Sequence, residues 1–334
     1  MKLQSMKSLG IATASVAFWV ASMGGIAAEA EAKEWRGWNI HVTDYPVSHG
    51  MEKFTSLIKE RSGGRLSGKT YHSGVLGKQP DAIEQIRLGG IDFAVFSLGP
   101  MGQVIPETNV VSLPFIFKGV ENMHTVMDGP IGEEISAGMA KKGIVALAWY
   151  DAGARSFYNS KKPITSPADV KGMKVRVMNN DLFVGMIEAM GGNATPMAFA
   201  EVFQSLKTGV IDGAENNPPS YESTSHFEAA KFYSISEHLI IPECLCISKM
   251  TWDGLSAEDK VMVKKAARES ADLQRSLWVE REKKSMEKVQ SGGTEVNQIA
   301  DKASFQKAMA PVYDQFLAKN PELKGLVEKI QATK

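Results

Sequence analysis

The sequence is short of cysteine, of net charge and of long apolar runs, and each shortage excludes something. Two cysteines in 334 residues cannot build a disulfide scaffold. Lys plus Arg and Asp plus Glu both number 38, so no net charge remains. That balance argues against nucleic acid or an anionic membrane as the main partner, since either would leave a basic excess. After residue 32 no apolar run approaches the roughly 18 residues of a membrane span. Catalytic signatures are missing as well: there is no G-x-S-x-G elbow and no H-E-x-x-H. His41, His49, His72, His124, His226 and His238 show no helical ligand spacing, so neither a metal nor any other cofactor is expected. No acidic residue stands out as half of a catalytic carboxylate pair. An enzyme reading has no positive support.

What is present is a foldable chain. Hydrophobic residues make up 43% and charged residues 23%, which permits a buried core and excludes wholesale disorder. The length suggests about two domains. Lys2 and Lys7 precede a short apolar stretch, Ile11 to Ala21, and small residues follow, ending in Ala28-Glu29-Ala30 and Ala30-Glu31-Ala32. This is the order of a secretory signal peptide, so residues 1–32 are expected to lie outside the fold and the protein to be periplasmic. No cysteine stands near the cleavage region to carry a lipid.

Cys244 and Cys246 lie two apart in an apolar run, Ile240 to Ser248, that reads as a buried strand. Positions i and i+2 share a face, with Cα atoms about two strand rises of ~3.3 Å apart. That approaches the limit for a disulfide and would distort the strand, so two buried thiols are the simpler expectation. Gly63 to Thr70, GGRLSGKT, matches the phosphate-binding P-loop letter for letter. The chemistry needs that loop to leave a strand and open a helix. Here it follows a helical pattern and leads into Tyr71-His-Ser-Gly-Val-Leu-Gly77, which cannot start a helix, so the match is set aside.

Strand and helix patterns alternate through the rest. Strands are expected over 35–42, 66–71, 91–96, 144–149, 173–177 and 193–195, and helices over 50–61, 80–88, 182–190 and 199–207. From Ser256 to Lys288 the pattern is helical for over thirty residues, with two shorter helices near 305–317 and 322–330. The alternation predicts an α/β chain with mostly parallel sheets, and the lack of any linker predicts lobes joined by several chain crossings.

Polar groups gather at element ends. Arg155 stands in GARSFYN after a strand, Arg176 in KGMKVRVMN at a short strand, and Asn216 and Asn217 in DGAENNPPSY with Tyr221 following. In open α/β sheets ligands bind at the carboxyl ends of strands, and two arginines there suit an anion, because a guanidinium fork engages a carboxylate bidentately. Either arginine alone also fits a surface or ion-pair role.

At these residues the chain resembles the solute-binding proteins of TRAP (tripartite ATP-independent periplasmic) transporters. The resemblance covers nearly all of the chain after residue 32. It runs through Gly74-Val-Leu-Gly77, Ile83-Glu-Gln85, Gly90-Ile-Asp-Phe93, Leu113-Pro-Phe115, Gly153-Ala-Arg155 and Lys171-Gly-Met-Lys-Val-Arg176. It continues with Thr195-Pro-Met-Ala-Phe-Ala-Glu-Val202 and Gly209-Val-Ile-Asp-Gly-Ala-Glu-Asn-Asn217. The resemblance implies a non-catalytic, two-lobed periplasmic binding fold of class α/β, closing hinge-like on its ligand, with a long helix spanning both lobes. The lobes are expected as 33–153 plus 242–280 and 154–241 plus 281–334. Arg176 takes the place of the arginine that clamps the ligand carboxylate, Arg155 that of a second site arginine, and Asn216 that of a site asparagine. The family often has Gln where this chain has Ala214 and Pro where it has Asn217, and the added polar group suggests a hydroxyl-rich ligand.

Further contacts are expected from His49 and Gln79 at helix entrances, from Glu84 one turn on, and from Phe199 or Tyr221 as walls. The implied ligand is a sugar acid, D-glucuronate or D-galacturonate, because GARSFYN and DGAENNPPSYESTSH look like the corresponding segments of hexuronate-binding members. Sialic acid, a C4-dicarboxylate or a keto acid are the alternatives within the family, and an exported hydrolase acting on uronides the alternative outside it. The implied partners are the TRAP membrane permease subunits, driven by an ion gradient rather than ATP, with the binding protein itself a monomer and no nucleic acid involved.

Overall fold

A computed structural model describes residues 34–333; the expected signal peptide lies outside the described residues. Strands β1 (Glu34–Trp38), β2 (Ser67–Tyr71), β3 (Phe93–Ser97) and β4 (Ile144–Tyr150) begin a first sheet. Strands β5 (Ala154–Asn159), β6 (Lys174–Val177), β7 (Asn193–Pro196), β8 (Gly213–Asn216) and β9 (Phe232–Ile240) form most of a second. The chain then returns as β10 (Glu243–Ser248) to the first sheet and ends the second with β11 (Glu295–Gln298). The orders are β2-β1-β3-β10-β4 and β11-β9-β5-β8-β6-β7, each sheet covered by helices. This is the two-lobed α/β fold. The chain passes between sheets at 151–153, at 241–242, and along one long helix.

The expectation of mostly parallel sheets is corrected to mixed ones. β10 runs antiparallel to β3 and β4, and β5 runs antiparallel to β8 and β9. The reason lies in the crossings. β4 continues into β5, and β9 into β10, through two or three residues, far too few for the crossover a parallel return requires. The two continuous stretches therefore run alongside each other in opposite directions, with Tyr150 opposite Glu243 and Ala154 opposite Ile240.

Local chemistry explains several shifted boundaries. β1 stops at Trp38 instead of reaching Val42 because Asn39 turns the chain: its side-chain oxygen accepts from His41 N at 3.1 Å and its amide donates to Ser48 Oγ at 2.7 Å. Helix α1 (Pro46–Arg61) begins four residues before the expected Gly50 because Pro46 suits the first helical position, where no N–H is needed. The apolar run 240–248 is two elements, since Pro242 has no N–H to give a ladder. Cys244 and Cys246 both sit buried in β10 as free thiols. Gly63 and Gly64, both at positive φ, close α1, and Gly68-Lys69-Thr70 lies within β2. The P-loop letters thus run from a helix into a strand, the reverse of a phosphate cradle.

The long helix spans Ala257–Ser291, about 52 Å at 1.5 Å per residue. Ser256 caps it by accepting from Asp259 N at 3.0 Å, with Glu258 and Asp259 in the first turn and Lys288 in the last, as the helix dipole favours. Its first half packs on α1 and β4 through Val263, Ala266, Ala267 and Ala271, small side chains that allow close approach. Its second half serves the other lobe, where Arg281 Nη2 meets Glu222 Oε2 at 2.6 Å and Lys288 also pairs with Glu222. Between the halves, buried Gln274 holds the first crossing: it accepts from Asp151 N and donates to Asp151 O, both at 2.8 Å.

Gln274→Ala strands the N–H and C=O of Asp151 in a buried site, at about 1–3 kcal/mol for each group left unpaired. Urea unfolding is expected to show a lower midpoint with an unchanged slope; an unchanged midpoint would mean that Gln274 does not fix the crossing.

Candidate functional site

The carboxyl ends of the parallel strands converge on one cavity between the sheets. Ile40 and His41 follow β1, Ser73 to Gln79 follow β2, Ser97 ends β3 and Met178 follows β6. Met197 to Ala200 follow β7, and Asn216 ends β8. The cavity holds about 110 Å³, on the order of ten times what one water needs, so a small organic solute fits. The lobes meet around it. Tyr45 Oη stands 2.9 Å from Ser220 Oγ, and Lys78 Nζ lies 2.7 Å from Glu201 Oε1.

Arg176 projects from β6 into this cavity and is 3% exposed. Its Nε and Nη2 donate to the Met197 carbonyl at 3.1 and 2.8 Å, and its guanidinium carbon lies 6.0 Å from the Phe199 ring centre. Among the described residues no carboxylate pairs with it within salt-bridge distance. Burial pulls its pKa down to about 10, opposed by Glu215 and assisted by Arg155. At neutral pH it is therefore a buried cation held by one carbonyl, which is an unfinished anion site.

Arg155 is different. Its Nε meets Glu215 Oε2 at 2.6 Å, and Nη2 reaches Glu215 Oε1 and the Glu215 carbonyl, both at 2.8 Å. Nη1 donates to Asn216 Oδ1 at 2.7 Å. Four of its five N–H donors are committed, and its charge is neutralised inside the protein. Burial would lower its pKa, but the fully buried Glu215 outweighs that and raises it. The two arginines are thus unequal: one is a structural ion pair with a single N–H to spare, the other a cation in want of a partner.

The remaining expected residues divide. Gln79 lines the cavity and donates to Ser97 O at 2.7 Å, leaving its side-chain oxygen available. Phe199 forms a wall, edge-on to His226 at 5.8 Å. Asn216 lines the cavity with its oxygen accepting from Arg155 and from Asn217 N, which leaves its amide as a donor. Asn217 also borders the cavity, but its side chain accepts from Ser220 N at 2.8 Å as a helix cap and donates to Ala152 O at 2.9 Å, so it joins the lobes.

Three expectations place residues where the structure does not. His49 stands inside α1, on the face opposite the buried Val47, Gly50 and Met51; its side chain is 48% exposed and meets Asp44 at 3.3 Å. Glu84, in helix α2 (Gln79–Arg87), points away from the buried Ala82, Ile83 and Ile86 and pairs with Arg87 at 2.6 Å. Tyr221 is fully buried among Tyr158 and Tyr233, donating to Ala230 O at 2.5 Å. None of the three lines the cavity. His41, Ser73, Lys78, Ser97, Met178 and Glu243, none of them a site candidate from the sequence, do line it. Glu243 alone carried a signal, as an acid opening an otherwise apolar strand.

Arg176→Ala is expected to weaken binding of a carboxylate ligand by about 2–5 kcal/mol, and Arg176→Lys to fail substantially, since an ammonium lacks the planar fork. Arg176→Met removes a buried unpaired charge, so it should raise the unfolding midpoint of the ligand-free protein while abolishing binding. Calorimetric titration giving near-native affinity for the Lys variant would rule out a bidentate clamp.

The profile of bacterial extracellular solute-binding protein, family 7 (DctP) matches residues 39–320. A solute-binding protein of Chromohalobacter salexigens is 53% identical over 306 residues, spanning 92% of this chain and 91% of its own. Two solved TRAP periplasmic solute-binding proteins are similar over the whole fold. The one from Sulfitobacter sp. NAS-14.1, with bound β-D-galacturonate, is 67% identical with a TM-score of 0.88, covering 89% of this chain and 99% of its own. That from Roseobacter denitrificans, with bound β-D-glucuronate, is 60% identical with a TM-score of 0.90, covering 90% and 100%. With the crossings, the long helix and the interlobe cavity already in place, this chain belongs to the bacterial extracellular solute-binding protein family 7 and is a TRAP-type solute-binding protein.

Proposed function

We propose that the protein captures a hexuronate, D-glucuronate or D-galacturonate, between its lobes in the periplasm and delivers it to TRAP membrane permease subunits. The observation that carries this reading is Arg176, a buried cation facing the cavity with no acid to pair it among the described residues. A ligand carboxylate on its free N–H groups completes the pair that the protein leaves open. One carboxylate suffices, because Arg155 is already balanced by Glu215.

The rest of the cavity suits hydroxyls. The Asn216 amide and the last Arg155 N–H donate, and the Gln79 oxygen accepts. Phe199 offers an aromatic wall to the C–H side of a sugar. A small keto acid would leave these groups unpaired at about 1–3 kcal/mol each. The ligands bound by the relatives from Sulfitobacter and Roseobacter support the same choice.

In this reading the lobes are 33–153 plus 242–280 and 154–241 plus 281–334, which agrees with the passages at 151–153 and 241–242 and with a long helix shared by both. The protein works as a monomer. Carboxylate capture by Arg176 on one lobe precedes closure, and the contacts of Tyr45 with Ser220 and of Lys78 with Glu201 hold the closed form.

A ligand at about a hundred times its Kd adds about 2.7 kcal/mol of stability. D-glucuronate or D-galacturonate is therefore expected to raise the thermal midpoint by several degrees, with intact ligand recovered from the complex by mass spectrometry. A shift with succinate or pyruvate and none with uronates would overturn the sugar-acid assignment.

A further inference from the structure

Glu243 opens β10 just after the second crossing and is 6% exposed at the edge of the cavity. Its Oε1 lies 3.2 Å from His41 Nε2, while its Oε2 is buried and meets no hydrogen-bond partner among the described residues. His41 is itself fixed: its ring stacks on Tyr45 at 4.1 Å and 3°, and its backbone N–H donates to Asn39 Oδ1. A buried carboxylate oxygen without a donor is costly, and such groups in native structures call for a partner. Here the space bordering the residue is the ligand cavity.

We propose that Glu243, positioned by His41, is the cavity's second reading group: it accepts hydroxyl hydrogens from the ligand and rejects any ligand bearing a second carboxylate. This rests on the hexuronate reading above and adds to it the basis of selection against dicarboxylates.

Of the cations lining the cavity, Arg155 is neutralised by Glu215 and Lys78 is engaged by Glu201. Among the described residues Arg176 is therefore the arginine or lysine there without an acid, and a single carboxylate satisfies it. A second carboxylate near Glu243 would face another acid, and like charges in a poorly solvated site repel strongly. A sugar hydroxyl placed there donates instead, giving a charge-assisted hydrogen bond. One side chain thus favours a polyol and opposes a diacid. Specificity of this kind comes as much from the repulsive element as from the attractive one.

The test is calorimetric titration of wild type, Glu243→Gln and Glu243→Asp with D-galacturonate and with galactarate, the six-carbon acid carboxylated at both ends. Wild type is expected to bind galacturonate and discriminate strongly against galactarate. Glu243→Gln, close to isosteric, should bind galacturonate on the order of tenfold or more weakly. It should also narrow the galacturonate-to-galactarate ratio by at least about tenfold. Glu243→Asp retains the charge, so it should lose uronate affinity yet keep rejecting galactarate. Unfolding midpoints of the three proteins separate misfolding from altered recognition, and the Asp variant with wild type carries the test if the Gln variant does not fold. Uronate binding by wild type with an unaltered ratio in Glu243→Gln would overturn this inference and leave the functional reading standing. Preference of wild type for galactarate or succinate would overturn both.

Discussion

Keeping a guanidinium buried at Arg176, with a single backbone carbonyl for company, is the constraint around which the rest of the site is arranged. A cation removed from water is costly unless an opposing charge and hydrogen bonds compensate it. Placing Arg155 nearby adds repulsion, and the buried Glu215 cancels it with a bidentate pair. Neutral imidazoles surround the pair. Burial, assisted by the arginines, pushes His226 and His238 down to about 3, so neither adds positive charge at neutral pH. Among the described residues the cavity is left with one open guanidinium at Arg176 and one acid at Glu243.

Binding of that kind requires the ligand to be enclosed, and enclosure requires two bodies that move without coming apart. The crossings at 151–153 and 241–242 are short and lie side by side, as a hinge needs. Gly153 sits at positive φ, and a Cβ there would meet Trp278 Nε1 at 2.7 Å and Glu282 Oε1 at 2.8 Å, so only glycine lets the crossing lie against the long helix. That helix touches both lobes, through Ser270 and Gln274 on one side and Arg281 and Lys288 on the other. It can limit the range of closure while the crossings bend.

How much was legible in the sequence depends on how local each signal is. The end of the first helix at residue 61 and the start of the long helix at Ser256 appear where they were expected, because helix ends are decided within a few residues. Arg176 was legible as a binding candidate through its motif at the end of a short strand. Glu215 was not legible as the partner of Arg155, since an acid in DGAEN reads alike whether it faces solvent or a guanidinium. His41 and Glu243 stand 202 residues apart, so no spacing rule could join them. His49 and Glu84 were misplaced because both lie on helices whose inward face is set by packing, and Tyr221 because an aromatic near a polar motif fills a core as readily as a pocket.

The sequence by itself determined the alternation of strands and helices, the long helix and its cap, the neutral balance of charge and the segments that carry the family resemblance. These follow from periodicity, composition and short-range backbone chemistry, which survive in any surroundings. Only the tertiary structure decided that the sheets are mixed, which arginine is already paired, and which side chains share the cavity. Those outcomes depend on contacts between residues far apart in the chain, and electrostatic pairing follows distance in space rather than order in sequence.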